Sequence, residues 1–191
     1  MGMLTRDQIL AMGFAQVGEH VRLSDKASFY GVERIRLGNH VRIDDFCVLS
    51  AGAGGIEIGN YIHIAVACAL IGSEKISLRD FSGLSSRVTI YSSGDDYSGA
   101  TMTNPTVPAD FTGVTHAPVT LESHVIVGTG TVILPGVTLE EGVAVGALSV
   151  IRRNCAAFSI YSGNPARRVG ERKQDLLALA ARLTQAATFT P

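Results

Sequence analysis

The residues of this 191-residue chain that are best suited to acid–base chemistry are a few histidines and aspartates. Imidazole titrates near neutral pH, so a well-placed histidine can take a proton from an attacking hydroxyl or amine. The candidates are His63, His116, and the pair Asp95 and Asp96 in a Gly-Asp-Asp sequence. Each has a structural alternative, an outward-facing histidine or a turn carboxylate. Their use in catalysis depends on the elements that position them.

Those elements follow from a six-residue repeat. From Leu121 onward an aliphatic residue recurs at every sixth position, and a small or β-branched residue follows four positions after each. Neither the period of a helix nor that of a strand buries both series on one side. Three six-residue sides form a triangular coil of about 18 residues, and coils stacked about 4.8 Å apart form parallel sheets. We therefore predict an all-β fold, a parallel β-helix of about six triangular coils.

Three segments lie outside the repeat. Residues 91–120 contain several glycines and prolines and no sustained period, which predicts a functional arm projecting from the coils. Thr5–Gln8 has the form of a capping box, which predicts a short helix within a lead-in of residues 1–16. Apolar residues at helical spacing predict a C-terminal amphipathic helix over residues 167–191. The β-helix itself is predicted to span residues 17–166.

Composition limits the classes of protein that remain. With 46% hydrophobic and 17% charged residues, a disordered chain is excluded. The net charge of -1, from 16 basic and 17 acidic residues, lacks the broad basic surface of nucleic-acid-binding proteins. The apolar runs fall far short of the ~20 residues that a membrane span requires, and the first residues do not resemble an export signal. We expect a soluble, cytoplasmic protein that neither binds nucleic acid nor spans a membrane.

The three cysteines fall on the inward position that the repeat reserves for small residues: Cys47, Cys68 and Cys155. Their spacing suits neither a disulfide framework nor a structural zinc site. We predict that they fill the core, in a protein of a reducing compartment.

Residues one coil apart stack in columns that the repeat assigns. One column is predicted to form a stacked ladder along a single corner, at the surface or in an interface: His20, His40, Tyr61, Phe81 and His124. A zinc site needs three converging imidazoles with an open coordination position. The sequence lacks the paired histidines that would supply them, so we expect no metal. A second column comprises Arg22, Arg42, His63, Gly83, Ile126 and Ala144. Here Gly83 leaves space beside His63, and the two arginines are candidates for binding the diphosphate of a nucleotide-linked acceptor.

The segment 119–168 carries the most specific motifs, which are Val127–Val137, Val145–Ile151 and Gly163–Arg167. In order and spacing these motifs resemble those of the hexapeptide-repeat acyltransferases, in particular the maltose and galactoside acetyltransferase branch. The arm sequence Tyr91–Gly99 is similar to that of acetyltransferases found with bacterial surface-polysaccharide genes.

The resemblance implies a left-handed β-helix and a homotrimer, with acetyl-coenzyme A (acetyl-CoA) in the groove between neighbouring subunits. It also implies transfer of the acetyl group to a hydroxyl or amine of a sugar or nucleotide-linked sugar in surface-polysaccharide (O-antigen type) biosynthesis.

The resemblance carries over to particular residues as well. His63 matches a tyrosine of the acceptor site, and Asp95 stands where related enzymes have the arm histidine that acts as the base. Arg153 and Arg167 match basic positions suited to the phosphates of CoA, although solvated charges at a coil end are the alternative. The residues expected to bind the donor are Ile126, Gly128, Thr129, Ala147, Arg153, Pro165 and Arg167.

Other functions remain open at this point. A serine or other small-molecule acetyltransferase is the alternative within enzymes. The missing arm histidine would also suit a catalytically inactive structural β-helix subunit. The sequence leaves the acceptor and the choice between oxygen and nitrogen acetylation open, with a lean toward amines because a neutral amine needs less activation.

Overall fold

The structure is a computed structural model that describes residues 2–188, in which the six-residue repeat forms a three-sided parallel β-helix. Strands are numbered in chain order, and each coil gives one strand to each face. The first face contains β1 (Gln16–Val17), β4 (Ile35–Leu37), β7 (Ile56–Ile58), β10 (Ile76–Leu78), β15 (Val119–Leu121) and β18 (Thr138–Leu139). The second contains β2 (Arg22–Leu23), β5 (Arg42–Ile43), β8 (His63–Ile64), β11 (Gly83–Leu84), β16 (Ile126–Val127), β19 (Ala144–Val145), β21 (Ser159–Gly163) and β22 (Ala166–Glu171). The third contains β3 (Ser28–Tyr30), β6 (Val48–Ala51), β9 (Ala69–Gly72), β12 (Thr89–Tyr91), β17 (Val132–Ile133) and β20 (Val150–Ile151).

The interior of the prism is filled by the aliphatic residues of the repeat. On the first face, Leu37, Ile58, Leu78, Leu121 and Leu139 follow one another in register, and all are buried. Fully burying such a side chain stabilises the fold by about 1.5–3 kcal/mol, so the column holds neighbouring coils together. The predicted six coils and their inner rows are confirmed.

The inward positions for small residues behave as predicted too. Cys47, Cys68 and Cys155 are all buried free thiols. Burial raises the pKa of Cys155 to about 11, which keeps this thiol protonated and unreactive at neutral pH.

The predicted aromatic ladder runs along one corner of the prism. Successive rings stack with centroids 4.5 to 5.0 Å apart, in the order His20, His40, Tyr61, Phe81 and His124. All five residues have a positive φ, between 56° and 64°, in the left-handed region. This backbone costs about 1 kcal/mol or more for a residue with a side chain, and stacking offsets part of that cost. The ladder therefore links neighbouring coils along this corner.

The arm leaves the prism after β12 and returns at β15. At its base β13 (Ser93–Gly94) pairs antiparallel with β14 (Thr115–His116), and a short 3-10 helix covers Ala109–Phe111. Because Tyr91 and Val119 both pair within the coils, the arm is slightly shorter than the predicted segment 91–120.

The two ends of the chain form helices. Helix α1 (Arg6–Ala11) starts with the predicted capping box of Thr5 and Gln8. Helix α2 (Asp175–Thr188) starts later than the predicted residue 167, because β22 first folds back antiparallel on β21. Residues 1 and 189–191 of the predicted end segments lie outside the described residues. Over residues 2–188, neither helix has the length and hydrophobicity needed to cross a bilayer.

Candidate active site

His63 lies at the centre of the second face, in register between Arg42 and Gly83. Its Nε2 is 2.8 Å from Oδ2 of Asp44, and the Nε–H of Arg42 donates to Oδ1 of the same carboxylate at 2.7 Å. The imidazole is 51% exposed, whereas the carboxylate is 8% exposed. An inner carboxylate therefore anchors an outer histidine.

The electrostatics of Asp44 define the tautomer of His63. Burial by itself would raise the pKa of Asp44, but hydrogen bonds from His63 and Arg42 outweigh burial and lower it. The ionised carboxylate can only accept, so Nε2 of His63 is the donor. In the neutral imidazole Nδ1 is then the basic nitrogen, which suits a general base.

Sequence reasoning missed Asp44, although the repeat carries a signal for it. The equivalent residue in other coils is small, as in Ser24, Ala65, Ser85 and Gly128. Asp44 is the one charged residue of this column, one coil before the predicted catalytic histidine and diagonal to it.

A cavity of about 320 Å³ lies beside His63 on the second face. Its lining includes Ala65, Gly83, Ser85 and Ile126. Ala65 and Gly83 leave the space, since a Cβ added at Gly83 would meet nothing closer than 3.6 Å. The structure thus brings together two residues that the sequence assigned to different ligands, His63 to the acceptor and Ile126 to the donor.

Asp95 lies in a different place. It lines a cavity of about 670 Å³ between the arm and the third face, together with Tyr91, Leu134, Pro135 and Arg152. Within one chain, Asp95 and His63 line separate cavities on different faces.

The carboxylate of Asp96 accepts hydrogen bonds from residues of its own loop. Its two carboxylate oxygens accept hydrogen bonds from the backbone N–H of Ser98 at 2.8 Å and of Thr101 at 3.1 Å. The bonds from Ser98, and then those from Thr101, lower the pKa of Asp96 to about 2. These are the contacts of a turn carboxylate, the structural alternative considered for Asp96.

His116 secures the base of the arm. The hydroxyl of Ser93 accepts the backbone N–H of Ser73 at 2.8 Å and lies 2.8 Å from Nδ1 of His116. The Ser93 hydroxyl donates to Nδ1 or accepts from it according to the tautomer of His116.

The predicted donor residues Gly128, Thr129 and Ala147 continue from the His63 cavity toward the C-terminal coils. Thr129 Oγ1 donates to the carbonyl of Ser86 at 2.5 Å, and Ser86 itself lines that cavity. Gly128 is required by close packing of coils, because a Cβ there would lie 2.5 Å from the backbone nitrogen of Ala147.

Four arginines meet at the C-terminal end of the prism. Arg152, Arg153, Arg167 and Arg168 line a cavity of about 290 Å³. Pro165 lies in the turn between β21 and β22, next to this cavity. A guanidinium group can donate two parallel hydrogen bonds to the oxygens of one phosphate. The cavity therefore suits a ligand with several phosphates, such as CoA. Across the described part of the chain, residues 2–188, three or more His, Cys, Asp or Glu side chains nowhere converge as a metal site.

A candidate base beside a small cleft, with an arginine-lined cavity on a parallel β-helix, is the arrangement expected of a CoA-dependent acyltransferase. Comparison with known proteins then gives the branch. The chain is 51% identical over 179 residues to the dTDP-4-amino-4,6-dideoxy-D-glucose acyltransferase of Escherichia coli, covering 94% of this chain and 93% of that enzyme. This protein belongs to the hexapeptide-repeat sugar acyltransferases, as its motifs predicted.

Solved structures agree. The chain matches AntD, an N-acyltransferase from Bacillus cereus, with a TM-score of 0.94 and 38% identity over 97% of this chain and 98% of AntD. That structure holds coenzyme A and dTDP-4-amino-4,6-dideoxyglucose. A maltose O-acetyltransferase from Clostridium difficile 630 shares the fold, with a TM-score of 0.58, 22% identity and coverage of 88% of this chain and 75% of that one. No family model matches the sequence.

Proposed function

We propose that this protein transfers an acetyl group from acetyl-CoA to the 4-amino group of a dTDP-4-amino-4,6-dideoxyhexose. The observation that carries the proposal is the 51% identity to an acyltransferase of that acceptor, over nearly the whole of both chains. AntD, with the same sugar nucleotide and coenzyme A bound, supports it independently. Nitrogen is then the acylated atom.

The chemistry requires a neutral amine that attacks the thioester carbonyl. A carbon–nitrogen bond forms, the carbon–sulfur bond breaks, and the proton lost by nitrogen passes to Nδ1 of His63 and then to the departing thiolate. Backbone amides near Gly128 or Ala147 are candidates for stabilising the negative charge that develops on the carbonyl oxygen.

Asp95 is proposed to bind the amino group of the acceptor. AntD was studied in serine and aspartate variants, and these two residues are as far apart in the AntD sequence as Ser85 and Asp95 are here. Ser86 and Asp96 share that separation, but the loop already occupies Asp96.

The proposed active site is shared between subunits of a homotrimer. Ser85 lines the cavity of His63, whereas Asp95 lies on the arm at another face. A neighbouring copy that places its arm against the second face would unite them. This arrangement also gives the donor a groove, with Ile126, Gly128 and Thr129 along its wall. The phosphates of CoA would then lie at Arg153 and Arg167, beside Pro165.

The proposed setting is the cytoplasm, where acyl-CoA and nucleotide sugars serve as substrates for surface-polysaccharide synthesis. The relationship to a putative lipopolysaccharide biosynthesis O-acetyl transferase of Escherichia coli strain K12, 27% identical over 115 residues, supports this role.

The test is an acylation assay with acetyl-CoA and dTDP-4-amino-4,6-dideoxyglucose, following thiol release and the mass of the product. We expect one acetyl group on the sugar nitrogen and no reaction with serine. Thiol release with serine but not with the nucleotide sugar would overturn the proposal. Coenzyme A binding without turnover on any amino sugar would favour a structural role.

A further inference from the structure

Two arginines follow His63 on the second face in the direction of the N-terminus. Arg22, Arg42 and His63 occupy the same position on β2, β5 and β8 and are in register. Adjacent strands lie about 4.8 Å apart. The backbone of Arg42 is therefore about 5 Å from the backbone of His63, and the backbone of Arg22 is about 10 Å from it. They form a cationic row leading away from the reaction cavity.

Asp44 fixes this row to the candidate base. One carboxylate oxygen accepts the Nε–H of Arg42 and the other contacts Nε2 of His63. The carboxylate is 8% exposed while Arg42 is 42% exposed, so the negative charge lies inside and the guanidinium outside. Arg22 is exposed, and over residues 2–188 its guanidinium has no ion-pair partner.

The two substrates must reach His63 from different sides. The arginine cavity proposed for CoA is formed by β20 to β22, at the C-terminal end of the prism. In the proposed acceptor the amino group is on C4, and the diphosphate is on C1 at the opposite end of the sugar ring. When the amine is beside the thioester, the diphosphate therefore lies one sugar length away. Along the second face, the side away from the arginine cavity proposed for CoA is the side of Arg42 and Arg22.

We propose that Arg22 and Arg42 bind the diphosphate of the acceptor nucleotide. Arginine forks to phosphate oxygens through paired charge-assisted hydrogen bonds, and its planar group stays charged at any relevant pH. The inference rests on the proposed function and adds a subsite to it. The acceptor enters over the first coils, CoA enters over the last, and their reacting groups meet at the cavity of His63, Ser85 and Ile126.

The test measures binding of dTDP by isothermal titration calorimetry to the full-length protein and its variants. We expect Arg22→Ala and Arg42→Ala each to weaken dTDP binding about tenfold to a hundredfold and to leave coenzyme A binding unchanged. Arg36→Ala is the matched control, because Arg36 lies in the same coil as Arg42 but on the first face. Arg22→Lys should recover part of the affinity.

Kinetics separate this subsite from a general structural effect. Arg22→Ala should raise KM for the sugar nucleotide at least tenfold and leave kcat within about twofold, since Arg22 does not contact Asp44. Unchanged dTDP affinity in Arg22→Ala and Arg42→Ala, in a wild type that acylates the sugar nucleotide, overturns the subsite alone. A wild type that neither binds dTDP nor acylates a dTDP-amino sugar overturns the proposed function as well.

Discussion

The pairing of Asp44 with His63 gives an exposed imidazole a fixed orientation. A histidine on a solvent-facing strand would otherwise sample several rotamers, and both tautomers would be populated. The buried carboxylate of Asp44 selects one rotamer and one tautomer of His63. Arg42 donates a second hydrogen bond to the same carboxylate. Removing the proposed base and removing the carboxylate that orients it are therefore distinguishable experiments.

His63→Ala tests the base directly. We expect kcat for acylation to fall about a hundredfold or more, with KM for acetyl-CoA nearly unchanged, because the imidazole acts on the proton and not on the donor. Stopped assays of thiol release measure both constants. His40→Ala, in the ladder, is the control for loss of a histidine, and full turnover by His63→Ala would exclude it as the base.

Asp44→Asn tests the support. An amide can offer its NH2 to Nε2 and favour the wrong tautomer, so kcat should fall roughly tenfold to a hundredfold. Asp45→Asn is the matched control, because the neighbouring carboxylate contacts Ser24 and Lys26 instead. Equal kinetics for the two variants would contradict a positioning role.

The lowered pKa of Asp44 predicts that the stability of the fold depends on pH. The pKa of Asp44 is lowered in the folded protein, so its contribution is present above the ordinary value of 3.8 and is lost as pH falls through the folded value. Asp44→Asn should therefore lower the free energy of unfolding near neutral pH, and the gap to wild type should close in strong acid. Urea unfolding over that range measures the gap; a constant gap would refute the linkage.

Among the elements, the corner turns impose an unusual demand. The ladder residues are not glycines, yet the chain turns there from the first face to the second with positive φ, as at Tyr61 with 56°. At this corner the rings stack between coils and offset part of the cost of that backbone. The corners thus couple local strain to contacts between coils.

Tyr61 provides the test of that coupling. Tyr61→Ala and Tyr61→Gly both lose stacking against His40 and Phe81, but only glycine relieves the left-handed backbone. We expect the glycine variant to be more stable than the alanine variant by roughly 0.5–1 kcal/mol, the reverse of the usual order. Urea midpoints decide it, and a more stable alanine variant would contradict the argument.

For the molecule as a whole, the proposed site that contains both His63 and Asp95 requires assembly. The two lie on different faces of one prism, so a site containing both needs a second copy. This requirement follows from the position of the arm and is independent of the size of the interface.

Mixed trimers test the shared site. His63→Ala and Asp95→Asn, each nearly inactive alone, should together recover about a quarter of wild-type activity when the subunits are co-expressed and mix at random. Differently tagged subunits identify the mixed species, and each variant co-expressed with itself is the control. Mixed trimers without recovered activity would contradict a site that combines His63 of one subunit with Asp95 of another.

The sequence by itself determined the coils, the buried cysteines and the ladder of His20 to His124, because a six-residue period fixes which side chains point inward and which stack. It also predicted the family, since the motifs around Gly128 and Pro165 are short contiguous segments that can be recognised without the fold. Only the tertiary structure decided that Asp44 reaches diagonally to His63 and that β22 folds back to bring Arg167 to Arg153. Only the tertiary structure showed that Asp95 and His63 lie at different faces of the prism. Contacts of this kind depend on side-chain direction between coils and on a chain reversal, and a repeat period specifies neither.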